Sequence, residues 1–220
     1  MGRFIAVIGS GGKTTTLKTL AGLVPGQSVL LTTTTHILPF DGVPLLQDPS
    51  REELLEALSR PGVVCAGSTA EKGKLSALSP ALLEEAAERA HRTFCECDGS
   101  RSLPLKLHRP DEPVLPGRVD RCIVVAGLSA LGKPVSEAVH RFERHFSPEQ
   151  RVGVEEFLFC VRETITSARL PREKIRVLLN QADTAEPETV KEILNALRAD
   201  GVLCTAASLR EDGSCLKNWV

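Results

Sequence analysis

The 220-residue chain carries 27 basic and 28 acidic side chains, a near balance that argues against duplex nucleic acid or an anionic membrane surface as its main partner. Hydrophobic residues make up 42%, enough for a substantial core, while a single Trp and no Tyr leave little material for stacking bases. No apolar run approaches the roughly 20 residues of a membrane span and no basic-then-apolar leader opens the chain, so the expected location is the cytoplasm. The seven cysteines are scattered without a C-x-x-C pair, and are expected to be reduced, buried small hydrophobes.

The predicted elements alternate along the chain. Arg3–Ile8 is an apolar β-branched strand, followed by glycines and a helix over Lys13–Gly22. Ser28–Thr32 is a second strand. Ser50-x-x-Glu53 is a capping box opening a helix through Leu58, and Val63–Ala66 is a short strand. Ser79 caps a helix over Pro80–Ala90 with proline at its first position. Strands follow at Thr93–Asp98 and Cys122–Ala126, separated by a proline-rich loop over 99–119 that is long enough to carry function. A helical region starts at Ser147 and runs towards Arg169, giving a small helical insertion around 134–170. Ile175–Leu179, Glu186–Ala199 and Val202–Thr205 close the series as strand, helix and strand. Such alternation predicts one α/β domain over 1–220, P-loop NTPase-like, with a mainly parallel sheet and helices on both faces.

The stretch Phe4–Lys18 (FIAVIGSGGKTTTLK) holds the strongest chemical signal. A strand, a glycine turn and a helix opening on lysine and threonine build an anion cradle. Backbone N–H groups of Gly9, Ser10, Gly11 and Gly12 converge on phosphate, the helix N-terminus adds positive potential, and Lys13 adds a full charge. Thr14 stands where a hydroxyl ligates Mg²⁺, with Thr15 beside it. The first glycine of G-x-x-x-x-G-K-[ST] would fall on Val7, so the loop is a shortened one. The implied ligands are Mg²⁺ and GTP or ATP.

Further segments extend this site. Thr93–Asp98 is a strand ending in acid, and period-two alternation puts Glu96 and Asp98 on one face and Cys95 and Cys97 on the other. Two carboxylates on one face repel unless a cation is near, so Glu96 and Asp98 are candidate Mg²⁺ groups. Asn180-Gln-Ala-Asp183 after a strand is similar to the N-K-x-D element of GTP-binding proteins, in which the aspartate accepts from guanine N1–H and the exocyclic amine; Ala206–Ser208 falls where a second base-contacting loop would lie. In Thr32–His36 four hydroxyls in a row cannot all face one core. Thr34 is the candidate γ-phosphate or Mg²⁺ sensor, and His36, Arg101 and Lys106 are candidate groups for an anionic substrate.

Several strings, taken in order, resemble a known family: Gly9–Thr15 (GSGGKTT), Thr32–Ile37 (TTTTHI), Glu96–Lys106 (ECDGSRSLPLK), Glu112–Pro116 (EPVLP), Ala130–Pro134 (ALGKP), Val139–Arg141 (VHR) and Asn180–Asp183 (NQAD). They resemble the YqeC-like accessory proteins of selenium-dependent molybdenum hydroxylases, over nearly the whole chain. The resemblance implies a part in maturing such hydroxylases and an interaction with the hydroxylase or its cofactor-assembly factors. Where that family usually carries alanine, this chain has Cys97. Three activities follow as expectations: a slow NTPase maturation factor, a transferase or kinase acting on a small cofactor precursor, and a non-hydrolysing cofactor chaperone.

Overall fold

A computed structural model describes residues 2–220. In chain order its elements are β1 (Arg3–Gly9), α1 (Lys13–Gly22), β2 (Ser28–Thr33), β3 (His36–Ile37), β4 (Leu45–Gln47), α2 (Arg51–Ala57), β5 (Gly62–Thr69), β6 (Leu75–Ser76), α3 (Pro80–Arg89), β7 (Arg92–Glu96), β8 (Leu105–Lys106), β9 (Arg121–Gly127), α4 (Val135–Ala138), β10 (Val139–His140), α5 (Val154–Ser167), β11 (Ile175–Asn180), α6 (Pro187–Ala199) and β12 (Leu203–Ala207). The main sheet runs β12-β11-β9-β1-β7-β2-β5, parallel throughout. Antiparallel β6 and β3 extend it, and β4 also pairs with β5. The chain is therefore the mainly parallel α/β sheet that its alternating elements predict.

Helices cover both faces. On one, Leu17, Leu20 and Ala21 of α1 recur at helical spacing and pack with Ile5, Val7, Leu31 and Phe94, joined by Leu216 and Trp219 from the C-terminal turn. On the other, Leu54, Leu83, Phe157 and Ile193 bring α2, α3, α5 and α6 onto Phe4, Ala6, Ile8 and Val124. Each fully buried leucine contributes about 1.5–3 kcal/mol relative to exposure. The β1 residues alternate between the two clusters, as a strand buried on both faces must.

Two features position the site. After β1 the chain builds β2, β5 and β7 on one side, then crosses to β9, β11 and β12 on the other. The C-terminal end of β1 is thus a point where connections diverge, and such points open a crevice. Register does the rest. Val7 pairs with Glu96, so Asp98 falls beside Gly9, whose N–H donates to Asp98 Oδ2 at 2.8 Å.

Two expectations change. The helix sought from Ser147 starts at Val154, because Val135 N and Val152 N donate to Gln150 O and Lys133 O and hold 150–152 extended. Glu156 then accepts from Gly153 N at 2.9 Å and fixes the helix start. Within the proline-rich loop, β8 pairs with β10 in a separate two-stranded ladder, Leu105 against Val139 and Lys106 against His140.

Candidate functional site

A cleft of about 930 Å³ lies at the C-terminal end of β1, walled by Gly11, Gly12, Lys13 and Thr14 on one side and by the 99–104 loop on another. The glycines are needed here. Gly11 and Gly12 have φ of +88° and +127°, and a Cβ would stand 2.3 Å from Gly127 N in the first case and 2.2 Å from Asn180 Nδ2 in the second. No side chain caps the N-terminus of α1, which leaves its first N–H groups free for an anion. The Thr14 side chain is exposed on the cleft wall.

Lys13 is buried and turned inward. Its Nζ donates to Gly9 O at 2.7 Å and to Ser100 Oγ at 3.2 Å, and stands 3.0 Å from Asp98 Oδ1 and 3.7 Å from Glu96 Oε1. Burial opposes its charge, yet the two carboxylates hold its pKa above the usual lysine value. Asp98 is fully buried, and its Oδ2 also accepts from His108 Nε2 at 2.8 Å and lies 3.2 Å from Lys106 Nζ. Burial alone would raise the Asp98 pKa; Lys13, His108 and Lys106 together drive it far below the carboxylate range. Glu96 shifts the other way, raised by burial despite Lys13.

Around this pair the charges interlock. His108 donates through Nδ1 to Glu163 Oε2 at 3.1 Å, and its backbone N–H donates to Glu163 Oε1 at 3.2 Å. Burial disfavours the imidazolium, but two carboxylate acceptors raise its pKa above the ordinary histidine value. Lys106 Nζ donates to Gly99 O at 2.8 Å and Glu112 Oε2 at 3.1 Å, and Arg141 grips Glu112 with both guanidinium nitrogens at 2.5 and 2.8 Å. Lys106 and Arg141 hold Glu112 down to about 2 against its burial.

The candidate residues divide accordingly. Gly11, Gly12, Lys13, Thr14 and Glu96 line one end of the cleft, and Gly9 and Asp98 lie buried behind them, joined to each other by the Gly9 N–H bond; Thr15 follows in the first turn of α1. Ser10 is buried and its hydroxyl donates to Leu103 O, which ties the loop to the 99–104 segment. Arg101 and His36 line the cleft. Lys106 lies 1% exposed behind it, locked to Asp98 and Glu112. Thr34 donates to Val114 O at 2.6 Å and lines a separate apolar cavity of about 430 Å³, so within the threonine run it is Thr35 that reaches the cleft. Asn180 Nδ2 donates to Gly11 O at 2.9 Å, joining the Asn180–Asp183 segment to the loop, while Gln181 lines the cleft at φ +64°. Asp183 is exposed, and its Oδ1 accepts from Ser208 Oγ at 2.6 Å, so the two segments expected to meet at a base do meet.

Sequence reasoning missed the partners His108, Glu163 and the Glu112–Arg141 pair. Glu112 and Arg141 both sit inside strings quoted above for the family resemblance, a signal that was available; Glu163 sits mid-helix with nothing local to mark it. Cys95 and Cys97 are buried in the core, and burial pushes the Cys95 thiol well above its ordinary value.

The fold and cleft define a class: a mainly parallel α/β protein with a glycine loop, a helix N-terminus and a buried Lys–Asp pair at one sheet end. The chain belongs to the YqeC family, since residues 5–143 match the family described as YqeC protein. It is also similar to a protein of Escherichia coli (strain K12) described as "Uncharacterized protein YqeC", 36% identical over 149 residues, which is 64% of this chain. That alignment spans 58% of the Escherichia coli protein's length. Among the described residues no helix is long and apolar enough to cross a membrane.

Proposed function

We propose that this chain binds a Mg²⁺–nucleoside triphosphate, GTP in preference to ATP, at the loop Gly9–Thr14 and hydrolyses it, as an accessory factor in the maturation of selenium-dependent molybdenum hydroxylases. The observation that carries the nucleotide part is that Gly11 and Gly12, which leave no room for a Cβ, the uncapped start of α1 and Lys13, with its Nζ held on Asp98, meet on one wall of the cleft. The hydroxylase part rests on family resemblance, and its expected partner is the hydroxylase or its cofactor-assembly factors.

The residues present fit a magnesium ion. Glu96 Oε2 and Asp98 Oδ1 are buried oxygens without an aligned hydrogen bond, although Asp98 Oδ1 faces Lys13 as an ion pair. Among the described residues no cluster of three or more His, Cys, Asp or Glu is assembled for a metal, so the proposed ion would take its remaining ligands from water and phosphate. Thr14, Asp98 and Glu96 are the groups that would hold it, and the ion when bound neutralises charge on the phosphate oxygens.

The chain's own groups have assigned parts. Lys13 leaves its carboxylates to meet phosphate oxygens, and Asp98 is kept ionised and oriented by Gly9, Lys106 and His108. Asp183, steadied by Ser208, reads the base edge. Turnover is slow without a partner, as expected when catalytic groups are supplied in trans. A thermal-shift panel of GTP, ATP and CTP with Mg²⁺ tests binding: a shift with GTP largest is expected, and no shift with any nucleotide overturns the proposal. Single-turnover product analysis tests the chemistry. Free phosphate alone supports hydrolysis; a phosphorylated or nucleotidylated small molecule supports transfer; no product supports a binding module. Transfer to a small molecule is favoured by one observation, the extension of the cleft beyond the loop to His36 and Arg101.

A further inference from the structure

Beside the main cleft lies a second concavity of about 420 Å³, and its walls include Arg101, Arg109, His140, Arg141 and Arg144. Arg101, Leu103, His140 and Arg141 line both spaces, so the two adjoin. The arginines come from chain segments about 40 residues apart, and the β8–β10 ladder joins them: Leu107 N donates to His140 O at 2.9 Å, and Arg141 Nη1 donates to Leu107 O at 3.3 Å. Arg101, Ser102 and Arg141 hold φ of +49°, +61° and +64°, a costly conformation for side-chain-bearing residues that persists where surrounding structure enforces it.

The charge in this concavity is largely unspent. Arg141 is committed to Glu112, but Arg101, Arg109 and Arg144 have no carboxylate within ion-pair distance among the described residues, and the wall holds one acid, Glu143. Burial and the neighbouring Arg141, Lys106 and Arg101 hold His140 down to about 4, so near neutral pH it is an uncharged hydrogen-bonding group among cations. Unpaired guanidinium forks converging on a concave wall recognise phosphate or carboxylate oxygens. A merely solvated basic face would not need two distant segments laced together by a dedicated ladder.

We propose that this annex binds a small phosphorylated or polycarboxylate molecule, held by Arg101, Arg109 and Arg144, next to the site assigned above to the triphosphate. As a location for a co-substrate it rests on the nucleotide reading; as an anion site it stands without it. The test uses inorganic pyrophosphate, titrated by calorimetry at constant ionic strength into the full chain with saturating Mg²⁺–GTP, and into the chain alone. Arg109 and Arg144 are exposed and outside the nucleotide cleft, so Arg109→Gln/Arg144→Gln should fold, which its unliganded melting temperature checks. The double variant is expected to weaken pyrophosphate about tenfold or more while leaving the Mg²⁺–GTP thermal shift unchanged. Arg109→Lys/Arg144→Lys should restore part of the affinity, since charge returns without the fork. Absence of millimolar pyrophosphate binding in the parent chain, or equal affinity in parent and double variant, overturns the annex. Loss of the nucleotide shift in the parent with arginine-dependent pyrophosphate binding intact overturns the nucleotide reading and leaves the annex standing.

Discussion

Behind the glycine loop Lys13, Asp98, Lys106 and His108 are buried and each holds at least two partners, whereas in the Asn180–Asp183 segment Asp183 is exposed and its carboxylate holds one, Ser208. Both regions carry residues that sequence motifs single out, yet their physics differs. A buried network cannot lose one member without stranding the others in low dielectric, while an exposed pair returns to water with little penalty. Mutations in the buried network should therefore perturb folding and ligand binding together. Those at Asp183 should report on recognition alone.

The largest expected effect follows from removing the hub. Asp98→Ala leaves Lys13, Lys106 and His108 buried without their shared acceptor and strips Gly9 N–H of its partner, so unfolding free energy should fall by about 3–5 kcal/mol. A urea midpoint measures this. A loss within about 0–1 kcal/mol, the range of surface pairs, would show that the network is not a unit and would erase the contrast between the two regions.

Next comes Lys13→Ala, in which the loop keeps its backbone but loses its charge. The parent chain at about 100 times its Kd of Mg²⁺–GTP should gain roughly 2.7 kcal/mol of stability, and the variant should gain none. Unchanged nucleotide affinity would sink the phosphate cradle, leaving Lys13 a structural counter-ion for Asp98 and Glu96.

How far these parts were legible from sequence depends on the range of the forces that set them. The β1–α1 unit was readable because everything it needs is local: apolar β-branched residues, glycines where φ is positive, and an apolar stripe at Leu17, Leu20 and Ala21. Glu96 and Asp98 were readable as a same-face pair because strand periodicity is two. By contrast β8 and β10 are two-residue strands that exist only because they find each other across 33 intervening positions, 105 to 139 in register. The partner of His108 lies 55 residues away on α5, whose start was itself misplaced because 150–152 pair back to 133–135. Lys106, a candidate group for an anionic substrate, sits in the network instead, since a lysine's pattern in sequence does not distinguish a free amine from one locked between two carboxylates.

A smaller effect concerns acid stability. Glu112 titrates at about 2 in the fold against an ordinary value of 4.5, through Arg141 and Lys106. A depressed carboxylate stabilises the fold above its unfolded pKa and loses that contribution as pH falls through its folded pKa. Between about pH 4.5 and 2 the parent chain should lose stability more steeply than Glu112→Gln, read as denaturation midpoint against pH. Parallel profiles would show that the Arg141 grip is open to water like the Asp183–Ser208 pair.

The smallest change in stability belongs to Asp183→Asn. Asp183 is exposed, and asparagine still accepts from Ser208 Oγ through its carbonyl, so the urea midpoint should move by no more than about 0.5 kcal/mol. Recognition should move much more. A carboxylate accepts from both guanine N1–H and the exocyclic amine, while an amide offers one acceptor and one donor. The donor faces an amine in guanine but a carbonyl in xanthine, so affinity should shift from GTP towards xanthosine triphosphate. Competition between the two nucleotides on parent and variant reads this directly. If the preference among bases does not change, Asn180–Asp183 is a turn that ties Gly11 to the sheet through Asn180, and Asp183 has no part in choosing the nucleotide.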